Sequence, residues 1–196
     1  MDLSRGTSAP MTAPVADLNI APTSRMAKIV FRQVRMDEFD DAHCILVGAA
    51  EWLLSKGIRQ WTTAYPKELY RSCQERGWNH ALESDGELAV VMTVSWEIPA
   101  EWADRFGTTP VWWLSKLATA PAFHGRGLGA EAVRHVVSTL SNQGADQLYL
   151  DCVHNNGFLV DFYRRQGFRQ IDRRNVQFST GLFDMVLMGL KISVPR

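Results

Sequence analysis

The chain has 196 residues, with 21 Lys and Arg against 21 Asp and Glu and 46% hydrophobic residues. That length fits one domain with or without a tail, and a domain of this size buries a full core without staples. Zero net charge removes the basic footprint of a nucleic-acid binder or a polybasic membrane-surface protein, and seven tryptophans do not fit a disordered chain.

Residues 1–26 carry Pro10, Pro14 and Pro22 among Ser, Thr and Ala without apolar periodicity, which predicts a flexible tail. Met11 and Met26 each offer an alternative start. Ordered structure is expected from about residue 27, with a first strand at Ile29, Val30, Phe31 and Val34. A helix follows, with Asp37 as N-cap and Ala42, Ile45, Leu46, Ala49, Trp52 and Leu53 on one face. Gly57 ends it. Pro66, Leu69 and Tyr70 predict a second helix closing at Gly77. Two strands, Trp78 to Ser84 and Leu88 to Trp96, flank Asp85-Gly86, a strong hairpin signal.

The stretch from Glu97 to Pro110 reads as irregular. Val111 to Thr119 is a strand-like apolar run. Leu128, Ala132, Val133, Val136, Val137 and Leu140 form a helical stripe stopped near Gly144. Leu148 to Val153 predicts a strand. Asn156 to Gln166 predicts a short helix, with Gly167 suited to the left-handed position beyond it. Phe168 to Phe178 and Phe183 to Ile192 complete a mixed α and β chain without internal repeats.

Cys44, Cys73 and Cys152 are far apart, and no Cys or His spacing suits a metal, so neither a zinc site nor a disulfide framework is indicated. No run of about 18 apolar residues marks a membrane helix, and no basic-then-apolar leader marks secretion. A cytoplasmic protein is expected.

The most informative stretch is His124-Gly125-Arg126-Gly127-Leu128-Gly129-Ala130, between a predicted strand and a predicted helix. Glycines there let backbone N–H groups approach an anion, and the helix start adds its positive dipole end. A phosphate or pyrophosphate ligand follows. No Gly-Lys-Ser/Thr completes a P-loop. The dinucleotide pattern is formally met by Gly125, Gly127 and Ala130, with Asp151 about twenty residues on. Against it, Ala120 to Phe123 separate strand from glycines, and too few residues follow for the second half of a doubly wound sheet.

A second motif lies downstream: Asn156, then Tyr163, then Gly167-Phe168. With both motifs, the chain resembles the GNAT superfamily of acetyl-CoA-dependent N-acetyltransferases. That family's loop, Gln/Arg-x-x-Gly-x-Gly/Ala after an apolar strand and a frequent Pro, matches Leu117 to Gly129, with His124 in the Gln/Arg position. The match is close over Val111 to Phe168 and holds only in element order over residues 28–96.

The resemblance implies a mostly antiparallel twisted sheet of about seven strands with one splayed parallel pair, flanked by about four helices, over residues 27–196. It implies acetyl-CoA as cosubstrate, no metal, and direct attack by an amine in a ternary complex, so that Cys152 is no nucleophile. Leu117, Ala118, Thr119, His124, Gly125, Arg126, Gly127, Leu128, Gly129, Ala130, Asn156 and Tyr163 would contact the cosubstrate. The N–H of Ala118 would meet the oxyanion, and Tyr163 would be the general acid. Asp151 matches the carboxylate that some members carry five residues before the Asn. Alternation puts Asp151 on the face of Tyr149 and Val153. Glu97 is a second candidate base.

A small-molecule amine is the expected acceptor, with one or two of the tryptophans lining its pocket. A protein N-terminus or lysine, a non-catalytic acyl-CoA sensor and a small NAD(P)-binding oxidoreductase stand as alternatives. The arginines at 164, 165, 169, 173 and 174 read as a solvated edge or a contact to the cosubstrate's 3′-phosphate rather than a nucleic-acid surface. No membrane partner is expected, and a homodimer is left open.

Overall fold

The computed structural model describes residues 27–58 and 65–192. The tail reading of residues 1–26, and Trp61, lie outside them. Seven strands form one sheet: β1 (Ile29–Gln33), β2 (Asn79–Ser84), β3 (Glu87–Ser95), β4 (Trp112–Thr119), β5 (Gln147–Val153), β6 (Arg169–Phe178) and β7 (Gly181–Lys191). The helices among the described residues are α1 (Phe39–Ser55), α2 (Lys67–Glu75), α3 (Ala103–Phe106), α4 (Leu128–Asn142) and α5 (Gly157–Arg165).

The strand order is β1-β2-β3-β4-β5-β7-β6, with every neighbour antiparallel except β4 and β5. One parallel pair leaves no doubly wound parallel sheet for the dinucleotide pattern to serve. The architecture is the one expected, with five helices instead of about four. The extra helix, α3, is four residues long, too short to show a helical period in the sequence.

Local chemistry accounts for most boundaries. Asp85 (φ 51°) and Gly86 (φ 90°) both take the left-handed conformation that a two-residue hairpin turn requires. The α1 C-terminus closes through Gly57 N–H to the Leu54 carbonyl and Ile58 N–H to the Leu53 carbonyl, at 2.9 and 3.0 Å. Its start differs from the expected Asp37 cap: Met36–Glu38 form a 3-10 turn and α1 begins at Phe39. The buried Glu38 carboxylate accepts the Arg35 N–H at 2.8 Å and is bracketed by Arg32, which also reaches Glu83 at 2.7 Å. That network pins the β1–α1 junction and displaces the cap by one residue.

The two faces of the sheet are covered differently. On one, α4 and α5 press Ala132, Val133, Val136, Leu140, Val160 and Tyr163 into a single apolar cluster with Val90, Met92, Leu114, Leu148, Leu150 and Cys152. On the other, the apolar packing divides. One cluster joins α1 and α2 to β2–β4 through Phe39, Ala42, Leu46, Tyr70, Val91 and Ala118. The second joins the segment before α3 to β4–β7 through Trp102, Trp113, Val153, Met185 and Leu187. Ser115, Lys116 and Asp151, none of which belongs to either cluster, are half-buried residues of β4 and β5.

Candidate active site

The site begins with a parting of strands. β4 and β5 pair at Trp112–Leu148 and Trp113–Tyr149 only, although both strands continue. On its other edge β4 carries a bulge against β3: Val91 faces Ala118 while Thr93 faces Ser115, so Lys116 and Leu117 share the place opposite Met92. Lys116 absorbs the extra residue at φ 55°.

The hydrogen-bond phase shows which backbone groups the parting leaves open. Ala120 N–H donates to the Ala89 carbonyl at 2.9 Å, so in an alternating antiparallel ladder Ala118, opposite Val91, also bonds to β3. Met92 is turned towards β2, in step with the Val94 N–H to Trp78 carbonyl bond at 2.9 Å. The N–H groups of Leu117 and Thr119 therefore face away from β3, into the gap. Consistent with this, the Thr119 carbonyl accepts from His124 Nε2 at 2.9 Å.

Beyond the end of β4 lies a groove of about 560 Å³. Leu117, Ala118 and Thr119 line it from β4, and His124, Gly125 and Gly127 from the turn. Leu128, Gly129 and Ala130 line it from the first turn of α4, and Asn156 from the head of α5. Gly125 and Gly127 have φ 75° and 76°, and a Cβ on either would meet nothing within 4 Å. The turn thus needs glycine for its conformation, not for space. Gly127 caps α4 without any side-chain cap bond, so the first N–H groups of α4 stay available to an anion. Asn156 caps α5 by accepting the Leu159 N–H at 3.2 Å.

Two of the expected contact residues are not part of the groove's lining. Arg126 lays its guanidinium 5.0 Å from the centre of the Phe123 ring instead of lining the groove. Tyr163 is buried in the core, with its ring against Phe162 and Phe168 at 5.1 and 5.6 Å. Burial pushes its phenol well above the ordinary value, with nearby Cys152 and Asp151 adding to the effect. A phenol so placed keeps its proton at any working pH.

Residues that the motifs did not point to complete the groove. α1 supplies Ala49, Trp52 and Leu53; α5 supplies Phe158, Leu159, Phe162 and Arg165. Phe158 is 75% exposed and Trp52 45%, a large apolar area for open water but a natural wall for a ligand. Trp52 meets the His124 ring edge-on at 5.5 Å. Arg165 forms no ion pair among the described residues, whereas Arg164 pairs with Asp161, Arg173 with Asp184, and Arg174 with Asp104 and Asp172.

The second half of the site lies on the face of α1 and α2. Asp151 points to the side of Tyr149, opposite Leu150 and Cys152, which lie in the other face's cluster. Trp102 Nε1 donates to its Oδ2 at 3.0 Å, and the Arg174 guanidinium lies over the Trp102 ring, 4.4 Å from its centre. Burial pushes the Asp151 carboxyl up to about 6, against the Trp102 hydrogen bond that favours its charged form. Glu97, the second candidate base, is exposed and ion-paired to Arg76. Cys152 is buried and its thiol is pushed up to about 12 by that burial, which leaves it inert. Among the described residues no group of three or more His, Cys, Asp or Glu could hold a metal, and no helix is long and apolar enough to cross a membrane.

Of the tryptophans, Trp102 and Trp113 are core residues, while Trp78, Trp96 and Trp112 form an edge-to-face series at 5.5 and 5.7 Å. Trp52 walls the groove, and the buried Trp102 donates its indole N–H to Asp151.

Comparison with known proteins agrees with this geometry. The model of the acetyltransferase (GNAT) family matches residues 46–168. The chain is 31% identical over 141 residues to the uncharacterized N-acetyltransferase YesJ of Bacillus subtilis (strain 168), covering 66% of this chain and 77% of that protein. A GNAT-family acetyltransferase structure from Listeria monocytogenes superposes with a TM-score of 0.71 at 18% identity, over 83% of this chain and 94% of that one. The Salmonella typhimurium protein yncA, solved with its cofactor acetyl-CoA, superposes at 0.61 and 15% identity, over 86% and 96%.

Proposed function

The chain belongs to the acetyltransferase (GNAT) family, and on that premise we propose that it moves an acetyl group from acetyl-CoA to the nitrogen of a small amine. The observation that carries this reading is the groove. It joins the open edge of β4, the left-handed glycine turn, the uncapped start of α4 and the head of α5 in one surface.

In this reading the pyrophosphate sits on the turn and the first N–H groups of α4, where backbone dipoles supply the positive potential. Arg165 is the available cation for a further phosphate. The pantetheine arm follows the edge of β4 vacated by β5. The oxyanion donor is the N–H of Leu117 and not that of Ala118, because the ladder with β3 engages Ala118 and the bulge leaves Leu117 facing the gap.

The amine enters from the α1–α2 face. Its nitrogen attacks the thioester carbonyl carbon, the carbon–sulfur bond breaks, and the leaving thiolate takes a proton. Asp151 accepts the proton that the nitrogen loses, and the Trp102 hydrogen bond holds it in place for that role. Tyr163, kept protonated by burial, is the donor to sulfur. No acyl-enzyme is formed, in keeping with the raised Cys152 thiol.

The test is release of free CoA thiol from acetyl-CoA, followed with a thiol reagent across a panel of amines. Acceptor-dependent release from at least one small amine supports the reading. Binding of acetyl-CoA without release from any amine or peptide would make the protein an acyl-CoA sensor, and release with peptides alone would move the acceptor class to protein N-termini.

A further inference from the structure

The acetyltransferase reading leaves one charged group unused. Lys116 stands beside the backbone expected to hold the thioester, yet no carboxylate lies within 4 Å of its ammonium among the described residues. Its Nζ donates to Ser115 Oγ at 3.2 Å and rests 4.5 Å from the centre of the Tyr65 ring. An ammonium has three donors, and these contacts leave at least one N–H without an acceptor among the described residues.

Neither its conformation nor its surroundings are those of an incidental surface lysine. Its φ of 55° is one that asparagine, aspartate and glycine adopt far more readily than a long side chain. Lysine stands at the one residue of β4 that the bulge puts in this conformation. The side chain is half-buried beside Tyr65, which packs on the α1–α2 cluster, and that burial lowers its pKa, while Cys73, Asp151 and Glu97 act in the opposite sense. A half-buried cation without an ion-pair partner among the described residues is costly and gains from an anion brought in by a ligand.

Of the two carboxylates that act on Lys116, Glu97 is paired with Arg76, whereas Asp151 is held by Trp102 and forms no ion pair with Lys116. A base and a cation of opposite sign, kept apart on neighbouring strands, are complementary to one chemical class. We propose that Lys116 anchors the carboxylate of the acceptor, so that the substrates are free amino acids or close relatives that carry a carboxylate near the reacting nitrogen. The nitrogen then faces Asp151 and the carboxylate faces Lys116. An amide, a decarboxylated amine or a peptide N-terminus would leave Lys116 unpaired. This assignment rests on the acetyltransferase reading of the site.

The experiment compares each L-amino acid with its carboxamide and its decarboxylated amine, in the wild type, Lys116→Met and Lys116→Gly. The glycine variant suits the left-handed position and keeps the test valid if methionine disturbs the fold. The expected wild-type preference for the acid in kcat/KM is about 10- to 100-fold, the range for a hydrogen bond to a charged group. Both variants should abolish that preference, mainly through a higher KM for the acid, while acetyl-CoA binding by calorimetry stays intact. Lys116→Arg should restore part of it. Equal use of acid and amide by the wild type, or equal loss with both acceptors in the variants, would overturn the proposal. If acetyl-CoA fails to bind at all, the acetyltransferase reading falls separately. Calorimetry of amino acids against their amides then still decides the anchor: acid-selective binding lost in Lys116→Met supports it, and its absence overturns it.

Discussion

On the groove side of the parted strands, the ligand-facing surface is mostly backbone and apolar walls: the turn from His124 to Gly127, the first turn of α4, and Trp52, Phe158 and Phe162. On the α2 side, the polar groups are single side chains drawn from distant parts of the chain: Tyr65, Lys116 and Asp151, the last held by the buried Trp102. The first arrangement suits a ligand with a constant handle, recognised through phosphate and a thin arm. The second suits a ligand chosen by its own charges. Changes on one side should therefore alter the cosubstrate constants and spare the acceptor, and changes on the other should do the reverse.

The largest effect is expected at the two residues that carry protons, Asp151 on the side-chain half and Tyr163 in the α4–α5 cluster. Asp151→Asn and Tyr163→Phe should each lower turnover about 100- to 10,000-fold, the range for lost general base or acid catalysis, with acetyl-CoA affinity unchanged by calorimetry. A loss of acetyl-CoA binding in Asp151→Asn would break the division between the two sides. Next comes a stability measurement on the same residue. The folded state holds the Asp151 proton up to about pH 6, above the ordinary 3.8, so folding stability falls as pH rises from about 4 to 6 and stays lower above that. Activity that needs the carboxylate rises as pH passes through about 6. Asp151→Asn should therefore melt higher than the wild type at pH 8 and lose this advantage below pH 4. The gain is at most about 3 kcal/mol. Equal melting temperatures at pH 8 would show that the carboxylate is not held under strain.

The groove half responds to backbone changes. Gly127→Ala introduces no clash, yet it places a Cβ at φ 76°, a cost of about 1–2 kcal/mol. Weaker acetyl-CoA binding by about 5- to 30-fold with an unchanged acceptor KM is the expected result. The smallest effect is at His124. Arginine there adds a forked cation near the turn but gives up the Thr119 carbonyl bond, and a change of only a few-fold in acetyl-CoA affinity follows. A hundredfold change would mean that the side chain, not the backbone, does the binding.

The same division explains what could be read in the sequence. The groove was legible because left-handed turns demand glycine and helix heads favour asparagine, so Gly125, Gly127 and Asn156 stand at fixed spacing whatever else the chain contains. Asp151 was legible in its strand face through alternation alone. Its partner Trp102 was not, since a contact across 49 residues leaves no local trace and the short helix beside it shows no period. The bulge was equally silent: a register slip between β3 and β4 moved the open N–H from Ala118 to Leu117 without any residue type announcing it. Lys116 did leave a signal, as the one charge inside the apolar run from Val111 to Thr119. It could be weighed only once its environment was visible.

Calorimetric titration of acetyl-CoA into the purified protein, in parallel with NAD⁺ and NADP⁺, tests the central claim most directly. One acetyl-CoA bound per chain, with no heat from either dinucleotide and with affinity weakened in Gly127→Ala, is the predicted result. No binding of acetyl-CoA at millimolar concentration, or binding that ignores the glycine turn, would contradict it.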